Sequence, residues 1–366
     1  MTVTADTATI SADERAALAD AIRELVGRRA DSTSARAAMR LTPRMDRTLW
    51  STLCTEIGAA SLPIPEEYGG GGAAFSETGA VLEEFGRALT PVPILATAVA
   101  TAAILLADDE STSRDLLPGI ASGECVATVC WAGRHGWSTP GVTADAGLLS
   151  GTADYVLDGE SADLFVVLAG DVDRVTLHAV ESNTDGVTVT PLPVVDPSRP
   201  LSRVTFDEAP ARSIPAGPDL AGRLRALAWA LLSAEQVGGT AAALDLTVEY
   251  TKSRKQFGRI IGSFQALKHR MADMYALVES SRSISRAAVA AVTAGTPDAE
   301  DLAAAAHVHC SEAFQAVAGE GIQLHGGIGI TAEHDISLFF KRAHGSAQLF
   351  GQPHEVVAEL GARILP

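Results

Sequence analysis

The stretch Glu249–Asp273, EYTKSRKQFGRIIGSFQALKHRMAD, sits between two long alanine-rich runs. Gly258 and Gly262 break the helical pattern there, so the spacing predicts a short connection between helices of about Leu220 to Thr251 and Phe264 to Gly295. Two further helices are expected, Asp298 to Leu324 and Asp335 to about Leu349. Helices of this length joined by short loops read as an antiparallel four-helix bundle over 219–366.

The same stretch is unusual in charge. Between Glu249 and Asp273 there is no acidic residue, yet Lys252, Arg254, Lys255, Arg259, Lys268, His269 and Arg270 all fall there, in a chain of net charge -17. A solvated basic face would account for the charge alone. An anionic cofactor would also account for the glycines, which allow close backbone approach while guanidinium groups pair with pyrophosphate. A second glycine-rich joint, Gly319–Gly329 (GEGIQLHGGIG), could likewise turn amide donors toward a phosphate or nucleobase.

Moving toward the N-terminus, residues 120–215 change character. Short β-branched runs, Leu164 to Leu168, Val175 to Val180 and Val187 to Val189, are separated by Asp-Gly turns, which predicts a compact antiparallel barrel or sandwich. Residues 11–119 return to helical spacing, as in Leu18, Ile22, Leu25 and Val26, and Ser11 before Ala12, Asp13 and Glu14 resembles a capped start. Two prolines and four glycines in Leu62–Gly72 (LPIPEEYGGGG) mark a surface loop, and no Lys-Ser/Thr follows to make it a phosphate cradle. The expected fold class is thus α+β: helical region, central β region, helical bundle.

Several function classes are disfavoured. The acidic balance opposes a nucleic-acid backbone. The longest apolar run, Ile94–Ala107, is short of the roughly 20 residues that span a bilayer and reads as a buried helix, so no membrane partner is expected. The N-terminus lacks a basic start followed by an apolar stretch, and Cys54, Cys125, Cys130 and Cys310 are too scattered for a disulfide framework, which together suit a cytoplasmic location. No metal site is expected: Cys125 and Cys130 read as small buried residues, and His307 and His309 point to different helix faces.

DLTVEYTKSRKQFG (Asp245–Gly258), IGSFQALKHRMAD (Ile261–Asp273), IQLHGGIG (Ile322–Gly329) and PIPEEYGGG (Pro63–Gly71) together resemble the acyl-CoA dehydrogenases, over nearly the whole chain. The resemblance implies an FAD-dependent oxidoreductase acting on an acyl-CoA thioester, usually tetrameric, with electron-transfer flavoprotein as electron acceptor. It also implies that Arg254 and Gln265 contact FAD and that Gln323, Gly326 and Gly327 line its ADP portion, reaching a cofactor held mainly by the neighbouring subunit. His269 and His325 lie in the same segments, while His334, His344 and His354 are expected at surfaces or interfaces.

The departures from the family pattern fall on its chemistry. Family enzymes abstract an α-proton with a carboxylate while a hydride leaves for the flavin. The usual glutamate position reads Phe350, in Leu349-Phe350-Gly351, and the alternative position at the first bundle helix reads Ala228. Glu235, two turns further along, is the remaining candidate base. The family's flavin-contacting Thr-Glu-Pro-Gly-Ala-Gly-Ser corresponds loosely to Thr128–Arg134, and its Trp-Ile-Thr-Asn-Gly to Tyr155–Gly159, where Leu157 lacks the hydroxyl.

Three readings follow. The chain is the non-catalytic half-site partner of a related subunit in a heterotetramer, or a self-sufficient dehydrogenase with a base such as Glu235, or a flavin-free scaffold or acyl-CoA-binding module. Which acyl chain is bound, whether linear, branched or steroid, is not encoded in any motif.

Overall fold

The computed structural model describes residues 12–29, 32–171 and 174–364. Six helices come first: α1 (Ala12–Arg29), α2 (Ser32–Ala38), α3 (Arg47–Thr52), α4 (Phe75–Ala88), α5 (Ile94–Ala107) and α6 (Glu110–Ala121). In α1 the expected apolar stripe faces inward, with Ile22 and Val26 buried and Leu18 and Leu25 packed beside them. The capping expectation for Ser11 lies outside the described residues. Helix α5 is apolar on every side and is enclosed on nearly every side, only Leu105 and Leu106 being half-exposed.

The Leu62–Gly72 segment is a loop, but not simply a surface one. Ile64 is fully buried and Tyr68 nearly so. A Cβ on Gly70 would meet the Ile64 carbonyl oxygen at 1.9 Å, so close packing of the loop on itself explains that glycine without a ligand.

The central region runs β1 (Ala127–Cys130), β2 (Ala132–Gly133), β3 (Gly136–Pro140), β4 (Val142–Asp145), β5 (Leu148–Leu157), β6 (Leu164–Gly170), β7 (Val175–Glu181), β8 (Val187–Pro191), β9 (Leu201–Pro210) and β10 (Arg212–Ile214). Two four-stranded sheets form, ordered β1-β6-β7-β10 and β4-β5-β9-β8, with β2 and β3 as a separate hairpin. No closed barrel forms among the described residues, and the pairing is not wholly antiparallel, because β1 runs parallel to β6. The reason can be read in β6. Phe165, Val167 and Ala169 pack toward the second sheet, where Phe165 meets Phe206 edge-on at 6.4 Å, while Leu164, Val166 and Leu168 belong to the core that includes α5. A strand covered on both faces is a continuous apolar run and suits an interior position.

The bundle is built from α7 (Leu220–Ser253), α8 (Gln265–Ala294) and α9 (Ala299–His325), followed by α10 (Ile336–Ser346) and α11 (Pro353–Ile364). A small hairpin, β11 (Lys255–Gln256) and β12 (Arg259–Ile260), links α7 to α8. The expected fourth helix is shorter than its spacing suggested, and α11 follows it as a separate helix. Phe350 and Gly351 both adopt positive φ, 60° and 112°, which ends helical geometry, and Pro353 then opens α11 at a position where its missing N–H costs nothing. Helix α7 is the axis of the molecule, buried almost continuously from Ala226 to Leu244. At its crossing with α4, a Cβ on Gly86 would lie 2.0 Å from the Glu235 carbonyl oxygen and one on Gly238 would lie 1.8 Å from that of Glu83. No helix among the described residues is long and apolar enough to cross a membrane.

Candidate functional site

The two joints singled out in the sequence lie at one end of the bundle. Arg270, in the first turns of α8, donates to Glu320 near the end of α9 at 2.7 Å, and Tyr250 near the end of α7 stacks on His325 with ring centroids 4.4 Å apart. Arg254 caps α7, its N–H donating to the Tyr250 carbonyl and its own carbonyl accepting from Ile261. Its guanidinium is exposed and has no acidic partner among the described residues, and the same holds for Lys255 and Lys268. Other cations of the stretch are engaged: Lys252 with Glu249 at 2.6 Å, Arg259 over the Phe264 ring at 3.9 Å.

Gln265 opens α8, exposed, with its amide 2.8 Å from His269 Nε2. Gln323, Gly326 and Gly327 are exposed at the end of α9, and Gly326 has φ 64°, which favours glycine. Added Cβ atoms at Gly326 or Gly327 would meet nothing within 4 Å, so the space in front of these backbones is open. The five residues expected to reach a cofactor therefore share one bundle end and face solvent. His325 does not share that orientation. It is buried, its Nδ1 donates to the Gly321 carbonyl at 2.7 Å, and burial, with His334 4.4 Å away, lowers its pKa against the raising effect of that carbonyl. His334, half-buried, completes this stack.

A second set of residues lies where the central region meets the bundle. The rings of Trp131 and Phe350 pack at 6.5 Å and those of Trp137 and Phe350 at 4.9 Å, while Trp131 and Trp137 meet edge-on at 6.3 Å. Three hydrogen bonds pin the segment that carries Phe350. Trp137 Nε1 donates to the Gln348 carbonyl at 3.0 Å, Trp229 Nε1 to that of Phe350 at 2.9 Å, and His307 Nε2 lies 2.8 Å from the Gly351 oxygen. His307 is fully buried and stacked on Trp229, and burial pushes its pKa down to about 4, the Gly351 carbonyl opposing, so it is neutral. Ala228 is fully buried beside Trp229, and Leu157 is buried with its carbonyl accepting from the Thr128 hydroxyl.

Glu235 is not free to act on a substrate. Its carboxylate is buried and accepts from both Arg199 and Arg342, the latter at 2.7 Å. Arg342 also donates to Asp196 and to Ser198, whose carbonyl oxygen lies at 2.9 Å. Asp158 lies in the field of both arginines, yet burial pushes its carboxyl up to about 6, with Arg199 and Arg342 lowering it and Glu235 raising it. Asp196 and Arg199 come from the β8–β9 connection, Glu235 from α7 and Arg342 from α10, so the network fastens the central sheets to the bundle.

Neither the tryptophan contacts nor this ion network is expected from the sequence. The signal for the first was two tryptophans six residues apart in a chain with 5% aromatic residues. The second had no signal, since its members are scattered from Asp158 to Arg342.

Comparison with known proteins agrees with this architecture. Residues 12–124 match the family description "Acyl-CoA dehydrogenase, N-terminal domain", and residues 227–365 match "Acyl-CoA dehydrogenase, C-terminal domain". The chain is 40% identical to acyl-CoA dehydrogenase IpdE2 of Mycobacterium tuberculosis, over 96% of this chain and 98% of that one. Among solved structures, a variant of the Tcur3481-Tcur3483 steroid ACAD superposes with TM-score 0.90 at 30% identity, covering 96% of this chain and 98% of that chain. The ChsE4-ChsE5 complex from Mycobacterium tuberculosis superposes with TM-score 0.89 at 27% identity, covering 97% and 98%.

Proposed function

The chain belongs to the acyl-CoA dehydrogenase family of oxidoreductases, and we propose that within it this chain is the half-site partner of a related, glutamate-bearing subunit. The observation that carries the reading is the contact between Trp131 and Phe350. Trp131 lies in the segment aligned with the flavin-contacting loop and Phe350 at the position of the usual base. Proton abstraction opposite a flavin needs a substrate carbon between those two elements. Here those two side chains pack against each other, Trp137 packs on Phe350 as well, and neither Phe350 nor Ala228 can accept a proton. The residues around this chain's own central region do not fit a flavin ring and substrate.

The bundle end does fit part of the cofactor. Arg254, Gln265, Gln323, Gly326 and Gly327 present an uncommitted guanidinium, two amides and open backbone on one exposed face. They suit the pyrophosphate and ADP portion of an FAD whose ring lies in the partner subunit. When bound, FAD supplies the hydride acceptor; this chain contributes charge and position. Likeness to a steroid ACAD and to a two-component complex supports an acyl-CoA thioester with a polycyclic acyl group as substrate and a second family member as partner. Electron-transfer flavoprotein is the proposed electron acceptor, on family grounds.

The test is assembly. Expressed alone, the chain should bind FAD poorly and oxidise no acyl-CoA. Coexpressed with a glutamate-bearing family member it should elute as a heterotetramer carrying two flavins, because each FAD needs one half-site from each chain and its binding energy appears only on assembly. Size-exclusion chromatography with flavin absorbance reads this out directly, and an active, fully yellow homotetramer of this chain alone would rule the reading out.

A further inference from the structure

The turn between α9 and α10, residues 326–335, carries the backbone that faces the proposed cofactor, and glycine at 326, 327 and 329 leaves it little stiffness of its own. Within the turn the Gly329 N–H donates to the Gly326 carbonyl at 2.9 Å, and the N–H and hydroxyl of Thr331 both donate to that of Ile328, at 3.1 and 2.8 Å. Ile328 and Ile330 are exposed, so neither side chain anchors the turn in the core.

A firmer hold comes from the N-terminal region. Arg36, on α2, donates through Nη1 to the Ala332 carbonyl at 2.6 Å, and through Nη2 and Nε to the Asp335 carboxylate at 2.8 and 3.2 Å. The Arg36 side chain is 25% exposed and that of Asp335 31%, so the pair is partly withdrawn from solvent and screened less than a free surface pair. Between these two holds lies His334. Its ring packs on His325 with centroids 4.4 Å apart and meets Tyr250 edge-on at 6.0 Å, and its Nδ1 accepts from the Ile336 N–H at 3.3 Å. His325 is itself tied back to the Gly321 carbonyl and directly precedes Gly326. Burial lowers the pKa of His334, Asp335 opposing and Arg36 reinforcing. A neutral His334 can lie against His325, whereas two imidazolium rings at that separation would repel.

We propose that Arg36 is a positioning residue for the cofactor-facing turn: by holding Ala332 and Asp335 it keeps His334 on His325, and so sets the place of the Gly326 and Gly327 backbone. The proposal rests on the reading of this bundle end as the ADP-facing half of the site. Arg36 directs Nε, Nη1 and Nη2 at the turn, so it acts through the turn and not by meeting a phosphate. The N-terminal region thereby takes a part in cofactor binding from outside the binding face.

The experiment has two readouts. Hydrogen–deuterium exchange of the purified full chain, without cofactor, should show the amides of residues 326–335 exchanging about tenfold faster in Arg36→Gln than in wild type, with α5 and the middle of α7 unchanged. In the assembly with the glutamate-bearing partner, equilibrium dialysis should show FAD held roughly tenfold more weakly by Arg36→Gln, as for residues that act on a ligand through packed neighbours. Asp335→Asn should do the same, and the double variant no more than either alone, because both release one strap. Arg36→Lys should recover part of the affinity, since an ammonium reaches the carbonyl or the carboxylate but lacks the fork that spans both. Arg212→Gln, which breaks an ion pair with Asp115 of α6, should change neither readout. Unchanged exchange in the turn overturns the proposal, and so does exchange accelerated throughout the helices, which marks a merely structural role. Faster exchange in the turn with FAD affinity within about twofold of wild type overturns it as well. A wild-type assembly without flavin removes the half-site reading and this proposal together, whereas undiminished FAD affinity in Arg36→Gln removes this proposal alone.

Discussion

The indole N–H of Trp229 donates to the carbonyl of Phe350 at 2.9 Å, joining the neighbour of one position where the family places its catalytic carboxylate to the residue that occupies the other. Phe350 holds a left-handed backbone, φ 60°, that a non-glycine residue adopts at a cost of about 1 kcal/mol or more. The hydrogen bond and the surrounding rings offset that cost. Trp229→Phe should leave the Phe350 oxygen buried without a donor and lower stability by about 1–3 kcal/mol in denaturant titrations. Phe350→Glu should yield no acyl-CoA oxidation by the chain alone, since its carboxylate would enter an aromatic enclosure and not a substrate cavity. Turnover acquired by that variant would sink the half-site account.

Arg254→Ala should reduce flavin retention in the assembled protein. One charge-assisted pyrophosphate contact contributes about 1.5–3 kcal/mol, which corresponds to roughly a tenfold to hundredfold weaker FAD affinity. Equilibrium dialysis at matched salt measures it; flavin content equal to wild type would show that the basic joint does not hold the cofactor. Arg254→Lys should recover only part of the affinity, because an ammonium cannot make the forked contact.

Glu235→Gln should act on stability and not on chemistry. Neutralising the acid that both Arg199 and Arg342 use leaves those guanidiniums undercompensated in the interior, a loss of about 3–5 kcal/mol by comparison with other broken buried pairs. At a temperature where the variant remains folded, the active assembly should keep its rate within a few fold. A general base would cost at least about a hundredfold, so that outcome would reinstate Glu235 as catalytic.

Two groups, the buried His307 and the half-buried Asp158, give opposing pH dependences over one window. His307, whose folded pKa of about 4 lies below its ordinary 6.5, binds a proton more readily when unfolded, so stability is lost as pH falls from about 6.5 toward 4. Alone, it makes the protein about 2 kcal/mol less stable at pH 5 than at pH 7. Asp158, whose folded pKa of about 6 lies above its ordinary 3.8, binds a proton more readily when folded, so stability is lost as pH rises from about 4 through 6. Unfolding titrations at pH 5 and pH 7 should therefore show a smaller acid loss for His307→Gln than for wild type and a larger one for Asp158→Asn. Identical pH slopes in all three proteins would contradict both assignments.

Legibility in the sequence followed sequence distance. Helix α5 was readable because all its signal is local: fourteen residues with no charge. The joints were readable for the same reason, since lysine, arginine and glycine cluster within single short segments. The β1–β6 parallel pair was not, because Ala127 and Leu164 face each other across 37 residues and β1 carries no mark of strand direction. Nor could any local pattern show that Trp137 reaches Gln348, or that Asp196, Glu235 and Arg342 converge. Helix α11 was hidden behind Phe350 and Gly351, whose backbone reversal looks in sequence like the fraying of one longer helix.

The backbone-to-backbone crossing of α4 and α7 has a mechanical consequence. With Gly86 against the Glu235 carbonyl and Gly238 against that of Glu83, no layer of side chains remains to let the two helices slide, and Arg282 with Glu83 braces the same corner at 3.1 Å. A push delivered to the bundle by a docked neighbour would be carried undiminished into the N-terminal helices, as through a weld. Amide hydrogens in α4 and the middle of α7 should accordingly exchange together, in one opening event. A chimera that took its N-terminal layer from a relative with any larger residue at position 86 would be forced apart at this crossing.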